Sequence, residues 1–539
     1  MKPSILPRSA TVETEPVFLW WDYLAYAGLT CLALAAIGYF LAYWITVKDW
    51  RSHSILLGAV TVTVGVLLIN NQARWFLLPW MRRPRPMAPR PGLNVAAVTT
   101  YVGGVESLDM LEETARALVA LDYTHDTWIL DEGNDERVKA LCERLGALYF
   151  SRKEMPHYQA QQGRFQAGTK HGNYNAWLSA IGFARYDVIT AFDPDHVPVR
   201  TFLTQVLGYF EDERVGYVQA AQAYYNQPAS FISRGAAEET YAHYSSVQMA
   251  SYGLGYPILT GCHNSHRVSA LREIDGFAPH DADDLLITFS YRLHGWQGVY
   301  VPKILARGLT PVDWHTYLGQ QRRWARSVLD LKLRSYPKIE NTMRWYTRLM
   351  SALHGLNYLH KGLVIPVSLI LSAFILATGS AADAFTGEFF PRMTLLLAAL
   401  QLCEFYRQRF FLDAKNEWGL HWRVAFLQYA KWPSLLMAFY EAVLDRRLPY
   451  LVTAKIKVKG KPLATMWPQI GVIVVIGGAW LIGIQNDAVN AFGHLWAGTL
   501  IASALFLTSS EWWAFPDPYV GMMTATYPPS TLSTRGGVE

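Results

Sequence analysis

Charge is what this chain has least of. Lys, Arg, Asp and Glu make up 17% of its 539 residues, below the roughly 25% usual for a soluble protein. Their balance is a net charge of only +5, too weak for an electrostatic nucleic-acid binder. Cysteine is scarce as well. Cys31, Cys142, Cys262 and Cys403 are scattered and form no Cys-x-x-Cys pair, so neither a zinc site nor a disulfide framework is indicated, and free thiols facing a cytoplasm are expected. The first sixteen residues are polar and mixed in charge, unlike a cleavable signal peptide. There is no internal repeat. In their place stand 51% hydrophobic residues and 14% Phe, Trp and Tyr, aromatics that suit membrane interfaces and sugar-binding surfaces alike.

The apolar residues come in long runs. Tyr23 to Val47 is roughly 25 residues, enough to cross a hydrocarbon core of about 30 Å, and a second run extends from Ile55 to Asn70. Four arginines lie from Arg74 to Arg85 with no acidic residue among them, which places the following region in the cytoplasm of a plasma (inner) membrane protein. Residues 1–22 are then a cytoplasmic segment and 23–80 two transmembrane helices. Further spans are expected at 357–379 and 391–411, within a unit of linker and helices over 338–421, and at 467–485 and 490–508, within 467–508. The stretch 422–444 is apolar but carries Arg423, Lys431, Pro433 and Glu441. If it spanned, the basic loop 445–466 would lie outside, so it reads as an amphipathic interfacial helix. Residues 509–539 form a tail, polar and rich in Pro, Thr and Gly from Tyr519 on, that reads as disordered.

Residues 91–337 read as an α/β domain. β-prone runs at Leu93–Thr100, Thr127–Asp131, Leu148–Phe150 and Asp187–Asp193 alternate with helical patterns at Glu106–Leu121 and Glu136–Leu145. That alternation predicts a parallel sheet with ligands at the carboxyl ends of its strands. Asp131 and Asp193 fall at such ends.

Acidic and basic motifs follow one another along this domain. Asp193-Pro194-Asp195-His196 offers two carboxylates that can share a divalent cation with donor phosphates; a solvated turn is the plainer alternative. Asp131-Glu132-Gly133 can accept from a base or ribose, or simply close a βα turn. Lys170 can neutralise a diphosphate, with Asn173 or Asn175 bonding sugar or uridine unless Asn173 caps a helix. Asp281, Asp283 and Asp284 crowd together, raising one another's pKa as a general base requires, or serve as acids at a helix start. Gln320, Arg323 and Trp324 share a short helix, where Trp can stack on a sugar and Arg support a leaving pyrophosphate; an interfacial anchor is the alternative. Thr260 to Asn264 is a small-residue turn in which Cys262 and His263 suit an acceptor-lining loop better than thiol catalysis.

Taken in this order, the motifs from about Leu93 to Arg326 resemble the family 2 inverting glycosyltransferases, specifically the processive membrane synthases of cellulose, chitin and hyaluronan, and most of all bacterial cellulose synthase catalytic subunits. Asp193 to His196 is similar to their DADH, Lys170 to the lysine of their KxGN, and Asp284 lies twelve residues before Trp296 as their TED aspartate does. Tyr450 to Lys455 resembles their FxVTxK gating loop. The resemblance implies a cytoplasmic GT-A (Rossmann-like) domain inserted between transmembrane helices. It implies Asp284, beside Asp283, as catalytic base. Tyr101, Glu106, Asp131, Lys170, Asp193, Arg323 and Thr453 would bind nucleotide-sugar, and Asp193 and Asp195 would hold Mg²⁺ or Mn²⁺. Trp324, Gln320, Cys262 and His263 would meet the acceptor. The implied reaction transfers a hexose from a UDP-sugar to a growing β-glycan and exports it, with accessory export subunits as partners. UDP-glucose is the first choice of donor and UDP-N-acetylglucosamine the second; single transfer to a lipid acceptor is the competing activity, and a dead export scaffold the competing class. The chain departs from the family at Val102 to Val105, where residues are added after Tyr101, at Ala282-Asp283-Asp284 in place of TED, and at Tyr450 in place of Phe.

Overall fold

The computed structural model describes residues 11–339, 345–385, 387–446 and 462–510. Thr14–Pro16 (β1) pairs antiparallel with Arg82–Pro84 (β2). This ribbon ties the chain before the first apolar helix to the arginine-rich stretch after the second. Between its strands lie the helices Trp20–Trp44 and Ser54–Ala73. Among the described residues, four helices are long and apolar enough to cross a membrane: Trp20–Trp44, Asn357–Thr378, Ala464–Gln485 and Ala491–Ser510. The expected run from Ile55 to Asn70 falls on Ser54–Ala73, whose apolar part among the described residues is Ser54–Val66. The expected span 391–411 falls on Phe389–Gln408, a helix that carries Arg392, Glu404 and Arg407 and packs Phe389 edge-on to Phe40 of the first helix.

The α/β domain is built on Val95–Tyr101 (β3), Asp126–Asp131 (β4), Leu148–Phe150 (β5), Val188–Phe192 (β6), Val197–Pro198 (β7), Val215–Tyr224 (β8), Asn264–Arg267 (β9) and Gln297–Gly308 (β10). They form one sheet in the order β5-β4-β3-β6-β9-β8-β10-β7. Every residue of β3 and β6 is buried, as central strands covered on both faces require. The helix Leu108–Val119 turns Leu111, Ala115 and Leu118 inward at helical spacing. Glu136–Leu145 is capped by Asp135, whose side chain accepts from the Arg137 N–H, and ends at Gly146 in the left-handed region (φ 74°).

The strands read from the sequence pair in parallel as expected, and the strands beyond them make the whole sheet mixed. β5, β4, β3 and β6 are parallel, but β9 runs antiparallel to both β6 and β8, and β7 is antiparallel to β10. The physical reason lies in β9. Its residues, Asn264-Ser265-His266-Arg267, lack the apolar alternation that marks a strand. It holds its place by buried polar pairs instead: Thr190 with Ser265 at 2.8 Å, and His266 with the Tyr291 hydroxyl at 2.9 Å.

Candidate active site

The site is assembled at one end of the sheet. Tyr101 and Asp131 are register partners at the ends of β3 and β4. Tyr101 is buried and donates its hydroxyl to the Glu106 carbonyl at 3.3 Å, while the Glu106 carboxylate accepts the Val102 N–H at 2.7 Å. The added residues 102–105 thus close as a small loop. Asp131 is fully buried and accepts from the N–H groups of Gly133 (2.8 Å) and Asp135 (2.5 Å) and from the Tyr149 hydroxyl (3.0 Å). In this state its carboxylate holds the turn after β4.

Arg152 is a residue that sequence reasoning missed. Its side chain is wholly buried, pairs with both Glu132 oxygens (2.8 and 3.0 Å), and donates to the carbonyls of Tyr158, Phe165 and Gln166. Glu132 also accepts the Gly168 N–H at 2.8 Å. One ion pair therefore shapes the loop that delivers Lys170. No local motif marks Arg152; a buried arginine satisfied by carbonyls from a single loop is visible only in three dimensions. Thr169, not Asn173, caps the Lys170–Trp177 helix. Asn173 donates to the Leu130 carbonyl, and Asn175 pairs with the backbone of Phe277, so both asparagines hold the domain together.

Lys170 reaches across to Asp193 (2.5 Å) and to the Gly261 carbonyl (2.6 Å). Burial works against its charge, and the Asp193 carboxylate outweighs burial, holding the ammonium well above the usual lysine range. Asp193 remains half-buried, whereas Asp195 and His196 are buried. Asp195 accepts the Leu309 N–H at the end of β10 (3.2 Å) and lies 3.3 Å from His196 Nδ1. Asp193, Asp195 and His196 each bring a donor atom within 4.8 Å of the others, which fits a divalent cation. Gly308 makes room for the His196 ring: a Cβ there would lie 2.1 Å from Nε2.

The base candidates arrive from the other half of the sheet. Asp283 and Asp284 open the helix Asp283–Leu293. Asp284 accepts the Gly261 N–H at 3.0 Å and the Leu285 N–H at 2.7 Å. Burial raises both carboxyls above the ordinary range. At Asp283 the Asp284 charge adds to the rise, and at Asp284 the two N–H groups oppose it. Gly261 joins the halves, since its carbonyl accepts from Lys170 and its N–H donates to Asp284. Cys262 and His263, expected to line an acceptor path, are 2% and 0% exposed, so they lie beneath that loop.

Gln320, Arg323 and Trp324 lie on the helix Trp314–Asp330. Trp324 is exposed, while Gln320 and Arg323 are half-buried. The helix begins with Asp313 as its cap and with the Trp314 indole bonded to Ser510 at the end of the last apolar helix. Its far end packs Val328 in one apolar cluster with Leu285 and Phe289 of the acid-bearing helix. Along its flank runs Trp422–Val443, where Lys431 pairs with Glu239 (2.7 Å) and bonds Gln321 (3.2 Å), and Glu441 pairs with Arg322. Thr453 and the expected gating loop lie outside the described residues.

Residues 164–327 match the family model described as "Glycosyltransferase like family 2". Cellulose synthase 2 of Novacetimonas hansenii is 26% identical over 359 residues, covering 63% of this chain and 22% of that protein. The Cellulose synthase 1 catalytic subunit (UDP-forming) of Komagataeibacter xylinus is 26% identical over 264 residues, 47% of this chain and 33% of that protein. Beta-monoglucosyldiacylglycerol synthase of Synechocystis sp. is 26% identical over 298 residues, 53% of this chain and 59% of that protein. The chain thus spans less than two thirds of the length of each of these relatives. Among solved structures, a mannosyltransferase from Pyrobaculum calidifontis in complex with GDP-Man and Mn²⁺ aligns at a TM-score of 0.48 and 14% identity, over 73% of this chain and 99% of that one. Residues 164–327 thus carry a domain similar to family 2 glycosyltransferases, and the chain is related at modest identity to cellulose synthases.

Proposed function

We propose that this protein is a membrane-embedded inverting transferase that moves a hexose from a UDP-sugar, UDP-glucose first, to the growing end of a β-glycan and passes the polymer outward. The observation that carries this reading is the junction at Gly261. There Lys170 and Asp193 from one half of the sheet meet Asp284 from the other. The Gln320–Trp324 helix leads from this junction toward the apolar helices. The catalytic domain faces the cytoplasm in this reading, on the side of the arginines from Arg74 to Arg85.

Asp193 and Asp195, with His196 beside them, would hold Mg²⁺ or Mn²⁺. When bound, such a cation offsets charge on the diphosphate leaving group. Lys170 adds a fixed positive charge, and Arg323 a second on the acceptor side. Tyr101, Glu106 and Asp131 border the uridine end, and Thr453 is the further residue assigned to the nucleotide. Trp324 stacks the acceptor sugar beside Gln320. Asp284 takes the proton of the acceptor hydroxyl. That oxygen bonds to the anomeric carbon as the carbon–phosphate oxygen bond breaks from the opposite face, which inverts α to β and releases UDP. Accessory subunits for export are the expected partners.

The match to Beta-monoglucosyldiacylglycerol synthase over 298 residues favours a second reading, single transfer to a lipid. The deciding experiment measures UDP release by the full chain in nanodiscs, with Mg²⁺ or Mn²⁺, across UDP-glucose, UDP-N-acetylglucosamine and other UDP-sugars, and sizes the product. Polymer from one donor supports the synthase and names its sugar. A lipid-linked monosaccharide replaces it with the second reading.

A further inference from the structure

Beneath the Asp193–Asp195 pair lies a different set of donor atoms. His196, Cys262 and His263 each place one ligating atom within 4.8 Å of the others, and all three are buried. The first comes from the turn after β6, and the other two from the loop just before β9. These strands are antiparallel neighbours, with Ala191 opposite Asn264, so the pairing itself brings the two segments together.

His263 is the most telling member. It is 0% exposed, yet neither ring nitrogen has a hydrogen-bond partner among the described residues. Its backbone sits at φ 37°, in the left-handed region that a side chain bearing a Cβ seldom adopts. Buried imidazoles without partners are rare in folded proteins and call for an explanation. The His263 ring lies 4.9 Å, centroid to centroid, from that of His196. The ring nitrogens of His196 face Asp195 Oδ1 (3.3 Å) and Gln222 Nε2 (3.1 Å), so a metal bound there exchanges one of these contacts for a coordinate bond.

We propose that His196, Cys262 and His263 form a buried site for a zinc-class divalent cation. Two imidazoles and a thiolate are a borderline-soft donor set, one that Mg²⁺ avoids and tetrahedral Zn²⁺ favours, with the fourth position left to water. The ion pins the 261–263 loop to the turn after β6. That loop carries Gly261, which holds both Lys170 and Asp284. The site shares His196 with the Asp193–Asp195 group but differs from it in its soft donors, Cys262 and His263, and it stands whether or not the transfer reading does. It also shows why the lack of a Cys-x-x-Cys pair is no guide here: the ligands come from segments more than sixty residues apart in sequence.

The test uses the full chain purified in detergent without added metal. Elemental analysis should find about one zinc per chain. Replacement by Co²⁺ should give a thiolate-to-cobalt charge-transfer band in the near ultraviolet. Cys262→Ser and His263→Gln should lose the band and most of the zinc, while Asp193→Asn keeps both. If either variant fails to fold, a chain with Cys31, Cys142 and Cys403 replaced by serine decides the matter, since its only thiol is Cys262 and it should retain the band. Absence of zinc together with absence of the cobalt band in the natural chain, or zinc content unchanged by both ligand substitutions, overturns the site.

Discussion

The two halves of the eight-stranded sheet handle their acidic groups in opposite ways. In the parallel half, β5-β4-β3-β6, the carboxylates at the end of β4 are consumed in holding backbone and loop. Asp131 closes its own turn, and Glu132 clamps Arg152 and the loop behind it. In the mixed half, Asp283 and Asp284 stand adjacent at a helix start, partly withdrawn from water and raised above the usual carboxyl range. The first half builds a rigid cradle, and the second keeps a carboxyl able to take a proton. The lesson is that an acid at a strand end and an acid at a helix start can look alike in sequence and still sit differently, because their surroundings decide which groups each carboxylate meets.

The largest expected effect breaks the comparison on the reactive side. Asp284→Asn should lower kcat by about 10²–10⁴-fold, the usual contribution of a general base, with the UDP-sugar KM little changed. An unchanged rate of UDP release would remove Asp284 from that role. The same carboxyl sets the acid limb of the pH profile. A base acts only when deprotonated, and burial raises its pKa, so activity should fall on acidification through a pKa above the roughly 3.9 of an unperturbed aspartate. An acid limb at or below pH 4 would exclude a buried base.

On the holding side, Arg152→Met should destabilise the domain by about 3–5 kcal/mol, the range for breaking one partner out of a buried ion pair. Denaturation of the full chain in detergent reads this directly. A loss of rate with unaltered stability would mean that Arg152 meets substrate instead of shaping the loop. Gly308→Ala should cost about 1–3 kcal/mol, because the new methyl must displace the His196 ring, and it should weaken the dependence of rate on added Mn²⁺. The smallest effect belongs to the acceptor side. Trp324→Ala should raise the acceptor KM by about 3–10-fold through loss of stacking, with donor KM unchanged. A matching rise in donor KM would move Trp324 to the nucleotide.

The parallel half was readable in advance. Leu148–Phe150 and Glu136–Leu145 fall where the pattern puts them, and β3, β4 and β6 differ by a residue or two at their ends. Buried apolar runs flanked by capping residues carry their signal locally. The mixed half was not. β9 is four residues, polar in its side chains, and stabilised by partners on β6 and on the Asp283–Leu293 helix. Lys170, Asp193 and Asp284 could be named from motif order, but their meeting at Gly261 could not, since it rests on backbone groups that look alike in every residue type.

By itself, the sequence determined the alternation of strands and helices, the apolar helices around them, and the order of the acidic motifs. These depend on spacing along the chain, which water and bilayer read directly. Only the tertiary structure decided which carboxylates are consumed by turns, that Arg152 shapes the Lys170 loop, and that His196, Cys262 and His263 form one buried cluster. Those outcomes depend on distances between segments far apart in sequence, and on desolvation, which exists only once the strands have paired.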